Sequence, residues 1–77
     1  MKKVIIYTTP TCVYCKMAKV LFHEKGVQYE EKDVATNEQA REEMLNKSHQ
    51  LGVPVIDVEG EVFVGFDKDA LLQALGM

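Results

Sequence analysis

Cys12-Val13-Tyr14-Cys15 places the only two cysteines of this 77-residue chain within four positions of each other. A dithiol at that spacing can close and reopen a disulfide, carrying two electrons, or it can supply half of a tetrahedral metal site. The exchange reaction needs a thiolate, because the thiolate and not the thiol is the attacking species. The metal site would need two more ligands, and the available histidines, His23 and His49, have no zinc-finger spacing relative to the cysteines. A third reading makes both cysteines small buried hydrophobes. Their place at a solvent-facing turn between a strand and a helix argues against it.

That place follows from the neighbouring elements. Lys3 to Thr9 is rich in β-branched and aromatic residues and nearly continuous in hydrophobicity, which predicts a strand covered on both faces. From about Val13 to Lys25, Met17, Ala18, Leu21 and Phe22 recur at helical spacing until Gly26 ends the run. Cys12 therefore falls at or just before a first helical turn, where unpaired amides and the positive end of the helix favour its thiolate. Lys16, four residues on, is a candidate cation beside it. Cys15 lies one turn deeper on almost the same face, shielded but close enough to pair, which suits a resolving thiol.

The rest of the chain supplies the scaffold. Val27, Tyr29 and Val34 mark a short, charged second strand at a sheet edge. Thr36 and Gln39 resemble a capping box opening a second helix with Ala40, Met44 and Leu45 as its apolar face, fraying from Asn46 to Gln50 before Gly52. Val53 to Val58 and Val62 to Val64 flank Glu59-Gly60-Glu61 as a hairpin. Asp67 is placed to cap a last helix with Ala70, Leu71, Leu72, Ala74 and Leu75, before Gly76. The order is βαβαββα. A parallel right-handed crossover joins the first two strands, giving an α/β fold with a four-stranded mixed sheet flanked by three helices.

Composition narrows the function classes. Residues 1–77 suffice for a single domain, and a hydrophobic fraction of 47% with 27% charged residues is ordinary for a compact soluble protein. No apolar run approaches the ~20 residues of a membrane span. Met1-Lys2-Lys3 is a basic start, but the apolar stretch after it is too short for a signal-peptide core, so a cytoplasmic protein is expected. A net charge of −3 with scattered Lys and Arg offers no field for collecting phosphates, so nucleic acid is an unexpected partner.

Thr11-Cys12-Val13-Tyr14-Cys15-Lys16, preceded by Tyr7-Thr8-Thr9, resembles the glutaredoxin active site, whose usual form is Cys-Pro-Tyr-Cys. Val53-Pro54 falls where glutaredoxins and thioredoxins carry a cis proline opposite the cysteines. Gly65-Phe66-Asp67 falls where they have a glycine turn and an acidic helix start. The resemblance covers essentially the whole chain and implies the thioredoxin-like fold. It implies thiol–disulfide exchange without a metal or organic cofactor, with Cys12 the nucleophile and Cys15 the resolving thiol, acting on disulfide-bearing proteins as a monomer. It also implies substrate contacts at Thr11, Tyr14, Val53, Pro54, Gly65, Phe66 and Asp67. A module binding a metal or iron–sulfur cluster through Cys12 is the alternative.

Departures from the pattern concern the electron source. Where glutathione-binding glutaredoxins have a basic residue, a Thr-Val-Pro and a Gly-Gly pair, this sequence has Thr9, Gly52-Val53-Pro54 and Gly65-Phe66. Gly65-Phe66-Asp67-Lys68-Asp69 is similar instead to NrdH-type redoxins, which serve ribonucleotide reductase and are recharged by thioredoxin reductase. Tyr14 is the glutaredoxin form and can pack against glutathione. The resemblance therefore leaves thioredoxin reductase and glutathione as the two candidate reductants.

Overall fold

A computed structural model describes residues 3–76; Met1 and Lys2 of the basic start, and Met77, lie outside the described residues. The elements are β1 (Val4–Thr8), α1 (Val13–Glu24), β2 (Glu30–Asp33), α2 (Glu38–Ser48), β3 (Val55–Val58), β4 (Glu61–Val64) and α3 (Lys68–Ala74). The sheet order is β2-β1-β3-β4, with β1 parallel to β2 and the β1–β3 and β3–β4 pairs antiparallel. This is the expected βαβαββα mixed sheet, and β2 is an edge strand as its charge suggested.

The near-continuous hydrophobicity of β1 reflects cover on both faces. Val4 and Ile6 join Ala18, Phe22, Ile56, Val58 and Leu71 in one apolar cluster, with α1 and α3 as its roof. Tyr7 points the other way and packs with Val34, Ala40, Met44 and Val55 under α2. A strand alternates its side chains, so a central strand with a core on each side has no polar face to show.

Several boundaries move. Val27 and Tyr29 precede β2 rather than forming it, and they pack against the first cluster, where Tyr29 meets Phe22 with ring centroids 5.4 Å apart. Val53 and Pro54 likewise precede β3. The cap of α2 is Asn37 and not Thr36: Asn37 Oδ1 accepts the Ala40 N–H at 3.0 Å, one residue later than the capping box predicts. The same helix ends at Ser48 on a left-handed His49 (φ 60°) instead of fraying from Asn46. Leu45, expected on its apolar face, is exposed, as is Met17 of α1. The hairpin turn narrows to Glu59 and Gly60, both at positive φ (52° and 91°), which matches the twist of the strands it joins. Asp67 caps α3 as expected, accepting the Ala70 N–H.

Candidate functional site

The chain leaves β1 at Thr8 and enters α1 four residues after Thr9, so both cysteines sit at the sheet end where the central strand stops. Cys12 is the N-cap of α1, in extended backbone (φ −82°, ψ 113°). Its Sγ accepts the Cys15 N–H at 3.1 Å, taking the place that an Asp or Ser oxygen usually fills. A negative sulfur is the better acceptor there, and it also faces the positive end of the helix. The Cys12 backbone is fixed as well, its N–H donating to the Thr9 carbonyl at 3.3 Å.

Cys15 is different in kind. Its side chain is 1% exposed, and both cysteines are free thiols. Burial pushes the Cys15 thiol up to about 12, with the Cys12 hydrogen bond and charge adding to the rise, while the Thr9 backbone and the Lys19 charge oppose it. One sulfur is thus half-exposed and accepts one backbone amide, and the other is held as a neutral thiol beneath it.

The remaining expected site residues divide into three groups. Thr11 and Tyr14 are exposed beside the cysteines, Tyr14 at 61%. The Val53-Pro54 bond is cis, Pro54 is buried, and its carbonyl accepts the Gly65 N–H at 2.8 Å, which brings the two loop segments together. Val53 is half-buried against the Tyr7 cluster. Phe66 turns inward against the first cluster, and its flank closes an apolar groove of about 380 Å³ over Val13, Met17 and Val20. The Asp67 carboxylate is engaged in capping α3.

Gly52 has an unexpected partner. Its N–H donates to Gln50 Oε1 at 2.8 Å and its carbonyl accepts from Gln50 Nε2 at 3.0 Å, so both peptide groups are covered by one side chain. Sequence reasoning also missed a lysine. Lys16 is exposed, whereas Lys19 is held against Glu31 at 2.9 Å, and the same Glu31 oxygen accepts the Thr8 hydroxyl at 2.8 Å. The signal was faint: Lys19 is one helical turn beyond Cys15, but Glu31 joins it only through the parallel β1–β2 register. His23 is exposed on α1 and His49 caps α2, and among the described residues no cluster of three or more His, Cys, Asp or Glu side chains could hold a metal.

Comparison with known proteins agrees with this geometry. Residues 4–63 match the family model described as Glutaredoxin. Glutaredoxin 3 of Escherichia coli K12 is 40% identical over 76 residues, covering 99% of this chain and 92% of its own. The crystal structure of a mutant of the thioredoxin-like protein BC3987 superposes with a TM-score of 0.92 at 34% identity, covering 99% of this chain and 97% of that one. NrdH-redoxin from Escherichia coli shares the fold, with a TM-score of 0.83 at 24% identity and 92% of each chain covered.

Proposed function

Since the chain belongs to the glutaredoxin family, with the thiol–disulfide redox role that membership carries, we propose that it reduces protein or mixed disulfides by a two-cysteine mechanism. The carrying observation is the asymmetry of the pair: Cys12 Sγ accepts the Cys15 amide at the helix start, whereas Cys15 is buried and its thiol pushed up to about 12. Cys12 thiolate attacks a substrate disulfide, forming a mixed disulfide and releasing one substrate thiol. That step removes the Cys12 charge and hydrogen bond, which add to the rise of the Cys15 thiol, while burial, the largest cause, remains. Cys15 then attacks Cys12 Sγ, the Cys12–Cys15 disulfide forms, and the second substrate thiol departs. The first step thus primes the second.

The dithiol itself carries the electrons, so the reaction requires no metal or organic cofactor. Val53 and Pro54 would shape the groove for a substrate segment, with Thr11, Tyr14 and the turn at Gly65, Phe66 and Asp67 around it. A single domain working as a monomer in the cytoplasm, where thiols stay reduced, fits this chemistry. Among the described residues no helix is long and apolar enough to cross a membrane. The test is substitution. Cys12→Ser should abolish disulfide reduction, and Cys15→Ser should stop protein-disulfide turnover yet accumulate a mixed disulfide. A mixed disulfide trapped by Cys12→Ser and not by Cys15→Ser would reverse the roles.

For recharging, the residues favour thioredoxin reductase over glutathione. Thr9 offers no charge to a glutathione carboxylate, Phe66 stands partly packed against the core where a glycine would leave the backbone open, and the Gly52 peptide is already covered by Gln50. Tyr14, exposed at 61%, is the feature that would receive glutathione. Coupled NADPH oxidation with each system, run on one preparation, decides between them. Efficient turnover with glutathione and none with thioredoxin reductase would overturn this assignment.

A further inference from the structure

Resolution asks the less willing thiol to react. Cys15 must lose its proton while 1% exposed, in surroundings that disfavour its charged form. The groups that act on its sulfur are Cys12 and Lys19 from α1 and the Thr9 backbone after β1. Once Cys12 is in a mixed disulfide, Lys19 is the one side-chain charge left among these. Tyr29, ahead of β2, and Glu31, within β2, act in turn on Lys19.

Lys19 is not free to wander. It lies four residues beyond Cys15, hence on the same helical face, and its Nζ is 2.9 Å from Glu31 Oε2. That oxygen also accepts from Thr8 Oγ1 at 2.8 Å, and Thr8 is 2% exposed at the very end of β1. A chain of contacts therefore runs from the buried strand end, through one carboxylate, to the ammonium. An unclamped lysine at this position would extend into water, which would screen its charge. The clamped one keeps its charge one helical turn from the buried cysteine, and the influence is mutual: the Lys19 charge pulls the Cys15 thiol down, the smallest of the effects on it, and Cys15 helps hold Lys19 protonated.

We propose that Lys19, clamped by Glu31 and through it by Thr8, is a positioning residue that stabilises the Cys15 thiolate during resolution, an inference resting on Cys15 being the resolving thiol. In that step Cys15 gives its proton to solvent. The Cys15–Cys12 bond forms as the bond from Cys12 to the substrate sulfur breaks. The substrate thiolate leaves with the electron pair and takes a proton from water, so that over the two steps together the cysteine pair is oxidised by two electrons and the substrate disulfide reduced by two. Lys19 exchanges no proton and serves as a fixed positive charge.

The full-length protein, fully reduced, is mixed with 2,2′-dipyridyl disulfide, and release of 2-thiopyridone is followed against pH. The first phase reads attack by Cys12 and the second reads resolution by Cys15, with a neutral leaving group in both. Lys19→Met is expected to slow the second phase about tenfold near neutral pH, the effect of one pKa unit. Its pH midpoint should move upward while the first phase is unchanged. Lys19→Gln, which can keep the hydrogen bond to Glu31 without the charge, should behave like Lys19→Met, and Lys19→Arg should restore the second phase. A second phase of unaltered rate and midpoint in Lys19→Met and Lys19→Gln overturns the inference. So does equal slowing of both phases, which would mark a purely structural residue. Absence of a second phase in the unsubstituted protein would overturn the two-cysteine reading, and this inference with it.

Discussion

On one face of the sheet Ala18, Phe22 and Leu71 cover Ile6, Ile56 and Val58 with apolar surface, whereas on the other Ala40 and Met44 share the cover with charged groups. There the Tyr7 hydroxyl donates to Glu43, Lys32 pairs with Glu43 at 2.8 Å, and Lys47 pairs with Asp57 at 2.7 Å. Lys47 also lies over the Tyr7 ring, 5.2 Å from its centroid. α1 is thus anchored mainly by apolar contacts, with the Lys19–Glu31 ion pair beside them. α2 carries no site residue and is tied down by charge.

The sharpest way to break this contrast is to empty the dry face. Phe22 is fully buried and central to its cluster, so Phe22→Ala should cost about 3–5 kcal/mol by chemical denaturation. For a small domain that is a large share of the whole. On the charged face, Lys47→Met leaves Asp57, 8% exposed, with the Gly60 N–H as its remaining hydrogen bond. The expected cost is about 2 kcal/mol, below the ~3–5 of a fully buried pair because the Lys47 side chain is 30% exposed. If Lys47→Met proved the more damaging, the two faces would not differ as described.

How much of this was legible depends on how local each cause is. The dithiol turn, the Asp67 cap and the Gly60 turn are set by residues within a few positions, and the structure has them where the sequence put them. Val27 and Tyr29 misled because alternation alone does not distinguish a strand from a loop that drops two side chains into a core. Leu45 misled for a related reason: helical spacing marks a face, but α2 is too lightly covered to bury all of it. Lys19 with Glu31, and Gly52 with Gln50, were out of reach, because such contacts require knowing the strand register or the path of a loop. The family resemblance carried the cis Val53-Pro54 bond, for which composition gives no sign.

The cap of α2 sharpens the same point at a smaller scale. Asn37→Ala should lower stability by about 1 kcal/mol, since it strips the Ala40 N–H of its acceptor, while Thr36→Ala should change it little. Equal losses at the two positions would mean that the helix start is shared between them.

The smallest effect expected separates the apolar cluster from the ion pairs by acid. Glu43 is held below the usual carboxylate range mainly by its hydrogen bond from Lys32, with Tyr7 adding to it, and Glu31 mainly by Lys19. A depressed native pKa means that the unfolded chain binds more protons near pH 4, so stability must fall as acid is added. The contribution is complete above the ordinary glutamate value of ~4.3 and is lost as pH drops through the lower native values. Both side chains are more than a third exposed, so water screens the pairs and each should contribute under about 1 kcal/mol. Glu43→Gln removes its share at neutral pH and should flatten the decline in Tm between about pH 5 and 3, leaving the part due to Glu31. Phe22→Ala should lower the whole curve and keep its slope, because the apolar cluster around Phe22 has no proton to gain. Were Phe22→Ala to flatten the acid limb as Glu43→Gln does, the charge network would depend on the apolar core, and the two faces could not be treated as separate anchors.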